Sequence, residues 1–349
     1  MKSFNFNNEI DTCAEIEIDW TKIDNKTLMI TGATGMVGKY LIKVLMRRNQ
    51  MQGVNTKVIA VGRNEENFRK RFADVADVES ITFLQHDVQM PCTYEGRLDY
   101  IIHMASNTHP WLYATDPIGT EMINIFGSYY LLDLASKNQG CRFVFTSSGD
   151  IYGDNRSDME YIGETDCGYI DCNTLRAGYI EGKRASEALC NAFKESKGVD
   201  FVIPRLCRIY GPTINLADSK AITQFIKKAI AKEDIVLKSK GTQTFSYLYI
   251  HDVVSALLMI MAQGNCGEAY NIAEEHSDIM LKDLAAIIAE MSGKKVVFEI
   301  PDAIEAAGYS KATKARLDGR KLAELGWKPM YDIKSGILRT VKILQQICL

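Results

Sequence analysis

The 349-residue chain is 46% apolar and 24% charged with a formal net charge of −3, which supplies one large or two coupled cores and excludes a disordered polymer. Its basic residues are scattered and its apolar run at 253–262 is too short to cross a bilayer, so neither a nucleic-acid partner nor a membrane is expected. Nine cysteines, widely spaced and without a Cys-x-x-Cys pair, read as reduced thiols; with no basic-then-apolar leader ahead of them, they predict a cytoplasmic protein with no metal site.

Residues 1–24 are polar and acidic with Trp20 as their large anchor, and read as a leader packed on the domain. From Lys26 onward short β-rich runs at 27–31, 57–61, 81–84, 99–103, 142–146 and 201–205 alternate with segments of helical periodicity. Such alternation predicts an α/β fold with a doubly wound parallel sheet, whose ligands bind beyond the carboxyl ends of the strands. After Pro204 the pattern loosens: a helix at 220–232, a strand at 235–238, a helix from Asp252, further pieces at 269–273, 281–291 and 296–300, and a closing helix after Asp332. The division expected is a Rossmann domain at 25–204 with a returning segment at about 240–265, and a smaller interleaved α/β substrate lobe from 205–239 and 266–349.

The first strand runs into Thr31-Gly32-Ala33-Thr34-Gly35-Met36-Val37-Gly38 and then a helical pattern. A strand that becomes a helix through three glycines brings bare backbone and a helix N-terminus against a phosphate, the signature of a dinucleotide cradle. The second strand ends in Gly62-Arg63-Asn64, a small residue and a cation where an NAD binder offers a carboxylate, which leans toward NADP. Asp87 ends the third strand, placed to accept from an adenine amino group. The fourth ends in Ala105-Ser106-Asn107, small enough for backbone to approach a cofactor. The fifth delivers Ser148, and about thirty residues later Tyr179 and Lys183 stand one helical turn apart on one face. A lysine ammonium near a phenol lowers a pKa that is ordinarily about 10, making Tyr179 a usable base, with Ser148 donating to the substrate oxygen.

These stretches, with HDV, HMAS, TSSGDIYG, YIEGK and RIYGP, resemble the extended short-chain dehydrogenase/reductases of the NAD-dependent epimerase/dehydratase family over nearly all of 25–345. PWLYATDPIGT, RAGYIEGKRASEALC and GTQTFSYLYIHD are similar to the UDP-glucuronate decarboxylase branch. The resemblance implies a catalytic triad of Ser148, Tyr179 and Lys183 with Asp150 facing the sugar. It implies cofactor contacts from Thr34, Met36, Val37, Val88, Thr120 and Leu206, and substrate contacts from Asn107, Tyr113, Gly149, Arg208, Lys220 and Phe245. It also implies a nucleotide-sugar substrate, an NAD(P) cofactor and a homodimer through the helices near 120–137 and 179–196. Their apolar residues Leu131, Leu132, Leu134, Leu189, Ala192 and Phe193 suit either a dimer face or the core.

Decarboxylases carry Asn in place of Arg208, Arg in place of Phe245, Lys in place of Gly119 and an acidic residue in place of Gly62; Arg208 restores one of the two lost cations. The pair Gly149-Asp150 replaces the Asp-Glu of 4,6-dehydratases and argues against dehydration. The function expected is hydride transfer at a sugar hydroxyl, at C4, either redox-neutral with the cofactor retained or, as the alternative, that of an NADPH-linked ketosugar reductase. An alternative of another class is a silent NAD(P)-sensing binding protein.

Overall fold

The computed structural model describes residues 4–75, 79–108, 110–154, 159–299 and 314–348. The apolar runs of the first two hundred residues become β1 (Thr27–Thr31), β2 (Lys57–Gly62), β3 (Ile81–Gln85), β4 (Tyr100–His103), β5 (Arg142–Phe145), β6 (Ser147–Ser148) and β7 (Asp200–Leu206). Further on lie β8 (Arg208–Tyr210), β9 (Ile235–Leu237), β10 (Thr244–Tyr249), β11 (Glu268–Ile272), β12 (Asp278–Met280), β13 (Val296–Phe298) and β14 (Lys314–Ala315). Among the described residues the main sheet has eight strands in the order β11-β7-β5-β4-β1-β2-β3, with β6 beside β7, all paired in parallel. The order reverses beside β1, and there the crevice for a ligand opens at the carboxyl ends.

Helices α1 (Phe6–Ala14), α2 (Met36–Gln52), α3 (Glu65–Arg71), α4 (Pro110–Thr115), α5 (Pro117–Lys137), α6 (Ala177–Lys197), α7 (Ala221–Ile230), α8 (Ile250–Gln263) and α9 (Leu281–Ser292) surround the sheets. Two apolar clusters cover the faces of the main sheet, one around Leu28, Ile30, Val58 and α8, the other around Met29, Ile101, Phe143 and α5. No described helix is long and apolar enough to cross a membrane.

The structure departs from the sequence expectations at three places. β5 ends at Phe145, one residue short of the expectation, although the Thr146 amide carries the ladder on to the His103 carbonyl at 3.1 Å, its hydroxyl donates to the same oxygen at 2.7 Å, and Ser147-Ser148 pairs with β7 in unbroken register. The expected returning segment is split: β10 joins a small sheet with β8, β12 and β14, while α8 and β11 return to the main sheet, where Glu268–Ile272 is in register with Val202–Leu206. The boundary set at 266 therefore falls ahead of a main-sheet strand. The piece expected at 296–300 is a strand that ends at Phe298, and Ile300 lies outside the described residues, as do residues 1–3 of the leader.

The leader packs through α1 against α2 and α8, burying Ile10, Cys13 and Ala14. Arg48 stacks 3.9 Å over the Trp20 ring and grips Asp24 with two hydrogen bonds of 2.8 Å. Glu9, 2% exposed, accepts from the Tyr249 hydroxyl and, at 2.9 Å, from Arg339 of the closing helix. Glu9→Ala strands both donors and is expected to cost about 3–5 kcal/mol in urea unfolding. A loss below about 1 kcal/mol would show that the buried cluster holds nothing together.

Candidate active site

Three glycines shape the β1–α2 turn by what they lack. Gly32 has φ +67°, and a Cβ there would lie 2.7 Å from the Met104 carbonyl carbon; a Cβ on Gly38 would lie 2.5 Å from the Gly32 oxygen. The turn thus presses against the end of β4 while α2 presses against the turn. Gly35 is the N-cap of α2 and brings no side chain to the first-turn amides, which leaves those donors to an anion. Arg71 holds the turn from outside by donating to Thr34 O at 3.1 Å, and the Thr213 hydroxyl donates to Met36 O at 2.9 Å. A cradle that any Cβ would fill, with open amides at its floor, fits a dinucleotide diphosphate.

The neighbouring strand ends carry the other expected cofactor residues. Gly62 and Arg63 leave β2 without a carboxylate, and Arg63 is exposed. Asn64 differs from expectation: its side-chain oxygen accepts from Asn67 N at 2.8 Å, so it caps α3. Asp87 accepts from Gln89 N at 3.0 Å, and Val88 is buried behind it. Thr31 Oγ1 accepts from the amides of Met104 and Ala105, both at 3.1 Å, and lies 2.8 Å from His103 Nδ1. With both amides donating, the hydroxyl proton goes to Nδ1, which puts the ring proton on Nε2. Burial and the nearby Lys183 push His103 down to about 3, and the ring is neutral. Beyond it Ser106 Oγ bonds Asn124 Oδ1 at 3.0 Å, and Asn107 bonds the Thr120 hydroxyl at 3.2 Å.

Across the cleft, Ser148 ends β6, and its hydroxyl accepts from Asp150 N at 3.1 Å while favouring the ionised form of the Tyr179 phenol. The Tyr113 ring stacks on Tyr179 with centroids 5.0 Å apart, and Asp150 pairs with Arg176 at 3.3 Å. Arg184 fixes this corner by donating to Ile151 O at 2.7 Å and Gly168 O at 2.9 Å. Burial raises the Tyr179 phenol above its ordinary value and Asp150 raises it further, while Ser148 and Arg176 draw it back. Lys183 differs from expectation. Its ammonium donates to Thr146 O at 2.8 Å and sits 4.6 Å over the Phe145 ring, and burial pulls it down to about 7, opposed by Glu187. Thr146, just past β5, supplies this acceptor, and Lys183 is not among the groups that shift Tyr179.

On the small-sheet side, a Cβ on Gly149 would lie 2.9 Å from Leu317 Cδ1 and 3.5 Å from Leu206 O. Arg208 lies 3.7 Å over the Phe245 ring. Lys220, expected at the substrate, pairs instead with Asp218 at 3.4 Å. At Gly119 a Cβ would come 2.2 Å from the Asp116 carboxylate, which caps α5 by accepting from Gly119 N. No group of three or more His, Cys, Asp or Glu that could hold a metal occurs among the described residues.

The family model of the NAD dependent epimerase/dehydratase family matches residues 28–273, more than two thirds of the chain. The chain belongs to that family. As an extended short-chain dehydrogenase/reductase it is an NAD-type enzyme. It is 29% identical to UDP-glucuronic acid decarboxylase 1 of Xenopus tropicalis over 321 residues, 91% of this chain and 72% of the relative. Its fold is that of the UDP-glucose 4-epimerase of Thermotoga maritima, with TM-score 0.77, 22% identity and coverage of 93% and 100% of the two chains. It is equally that of the dTDP-glucose 4,6-dehydratase of Streptomyces venezuelae solved with NAD bound, with TM-score 0.77, 23% identity and coverage of 92% and 97%.

In this epimerase/dehydratase family member the sequence reading missed Arg176. Its signal was present: an arginine three residues ahead of Tyr179, at the N-cap of α6, across from an acid two residues past Ser148. A cation there favours the phenolate. Arg176→Gln is expected to move the rising limb of the kcat/KM pH profile about one unit to higher pH, because Asp150 then acts on Tyr179 unopposed. An unmoved profile would show that Arg176 does not act on the phenol.

Proposed function

We propose that this enzyme oxidises C4 of a nucleotide sugar and returns the hydride in place, so that the net change is epimerisation or decarboxylation and the cofactor stays bound. The observation that carries the reading is Ser148 acting on the Tyr179 phenol, whose ionised form it favours, at the carboxyl edge of the sheet that also bears a glycine cradle fit for a dinucleotide. A hydroxyl placed between the two meets a donor and a base at once. The nicotinamide, when bound, supplies the hydride-accepting carbon. Ser148 donates to the C4 oxygen, Tyr179 takes the hydroxyl proton as the carbonyl forms, and Asp150, held by Arg176, faces the ring. Lys183, anchored on Thr146 O, holds the nicotinamide ribose. The names of the Xenopus relative and of both solved neighbours, each a nucleotide-sugar enzyme, support this class of substrate.

One observation favours a second reading. The end of β2 offers Gly62 and an exposed Arg63 with no carboxylate partner among the described residues, which suits an adenosine 2′-phosphate and an NADPH-linked ketosugar reductase. The cofactor carried through purification, followed by titration of the stripped protein with NAD and NADP, separates the two. Tightly held NAD that turnover does not consume supports the first; an empty site preferring NADPH supports the second. We also propose a homodimer across α5, where Ile118, Phe126 and Tyr129 are 76%, 42% and 46% exposed. Leu131, Leu132, Leu134 and Phe193 belong instead to the core.

A further inference from the structure

We infer that Glu187, clamped by Arg205, is a positioning residue that acts through Lys183, supplying the fixed counter-charge that keeps the lysine an ammonium; the inference rests on Lys183 holding the nicotinamide ribose, as proposed above. Glu187 follows Lys183 by four residues on α6 and so shares its face. Arg205 enters from β7, where its register partner is Ser147, next to the Thr146 carbonyl that accepts from Lys183. The guanidinium donates to both oxygens of Glu187, through Nε at 3.1 Å and Nη2 at 2.6 Å. The ammonium, its acceptor and the clamped carboxylate are thus gathered where α6 crosses β7.

Lys183 needs such a partner, because it is 3% exposed and its other neighbours carry no negative charge. At the exit of β5 it meets the Thr146 carbonyl and the face of Phe145, and on β4 the neutral ring of His103. Arg205 on β7 is a like charge, and Tyr179 on its own helix is a phenol. On α5 the Glu121 carboxylate lies back at Gly178, 3.4 Å from a Cβ position there. Asp150 and Arg176 act on Tyr179. Among the described residues, Glu187 is the carboxylate that opposes the burial of Lys183. A buried ammonium without one sheds its proton, and the neutral amine is the weaker donor to a ribose hydroxyl.

The clamp fixes the carboxylate without cancelling its field. Arg205 Nη1 donates to the Tyr152 hydroxyl at 2.9 Å and to Glu164 O at 2.6 Å, and Tyr152 donates in turn to Asn271 of β11 at 2.6 Å. Burial works against the Arg205 charge, but Glu187 and Tyr152 outweigh it, so the guanidinium stays charged throughout. Held by both oxygens, Glu187 cannot swing out to water. Its charge still reaches its neighbours: burial raises the Cys190 thiol, three residues further along α6, and Glu187 raises it more.

The test is the affinity of the full chain for NAD and NADP as a function of pH, in the parent, Glu187→Gln, the double variant Glu187→Gln/Arg205→Met and Lys183→Met, with thermal midpoints as the folding control. In the parent, affinity for the tighter dinucleotide is expected to fall as pH rises through about 7, where Lys183 loses its proton. Removing a carboxylate disfavours the ammonium, so Glu187→Gln moves this fall about one unit to lower pH. The two curves meet at their acid and alkaline ends, where Lys183 carries the same charge in both. The double variant strands no buried charge, moves the fall the same way, and carries the test if the single variant fails to fold. A fall unmoved by Glu187→Gln, a loss of affinity equal at every pH, or a double variant back at the parent midpoint each overturns the inference. A parent affinity indifferent to pH, or a fall that survives Lys183→Met, overturns instead the assignment of Lys183 to the ribose, a result distinct from the others.

Discussion

Replacing Tyr179 by Phe is expected to slow single-turnover hydride transfer about 10²- to 10⁴-fold, the range for removing a positioned acid–base group. Dinucleotide affinity should change by less than about threefold, since the phenol oxygen makes no part of the glycine cradle. The ring is 5% exposed and stacked on Tyr113 at 5.0 Å, and Phe preserves both its volume and that contact. Only the phenol oxygen and its interaction with Ser148 are lost, so stability should change by no more than about 1 kcal/mol. A variant that kept more than a tenth of the parent rate would leave the base unassigned. If the fold and the dinucleotide affinity stayed intact while turnover collapsed, proton transfer would be separated from positioning.

The second large effect belongs to Gly38. Its Cβ would come 2.5 Å from Gly32 O and 2.9 Å from the Ala33 Cα, backbone atoms that have no rotamer to swing aside. Gly38→Val must push α2 off the turn, at a cost of about 1–3 kcal/mol. Because the first-turn amides move with the helix, dinucleotide affinity should fall at least about tenfold. The stabilisation that saturating cofactor gives in thermal unfolding should shrink in parallel, since that shift follows the ratio of concentration to Kd. Gly53→Val is the control: nothing lies within 4 Å of its Cβ position, and its φ of +64° strains the backbone without touching the cradle. Equal losses of affinity in both would show that the Gly38 effect is general instability.

The main sheet was legible because parallel strands buried on both faces read as unbroken apolar runs: Leu28-Met29-Ile30, Val58-Ile59-Ala60-Val61 and Phe143-Val144-Phe145 have no solvent side to alternate with. The cradle was legible because close backbone approach tolerates only glycine, which marks the sequence directly. Which sheet a later strand joins was not. Thr244–Tyr249 and Glu268–Ile272 have similar strand character, and only their partners, β8 and β7, decide that one belongs to the small sheet and the other to the main one. The same limit applied to charge. Spacing puts Tyr179 and Lys183 on one helical face, but the ammonium is taken by the Thr146 carbonyl, and the cation that acts on the phenol comes from the Asp150–Arg176 pair, 26 residues apart in sequence. The side chain of Asn64 caps a helix and that of Lys220 pairs with Asp218, local partners that the spacing did not reveal.

The most direct test of the central claim is single turnover with a nucleotide sugar carrying deuterium at C4. Hydride removal from C4 predicts a primary isotope effect on reduction of the bound nicotinamide, followed by return of the label to C4 of the product with none in solvent. A normal rate, with the label untouched throughout turnover, would contradict chemistry at C4.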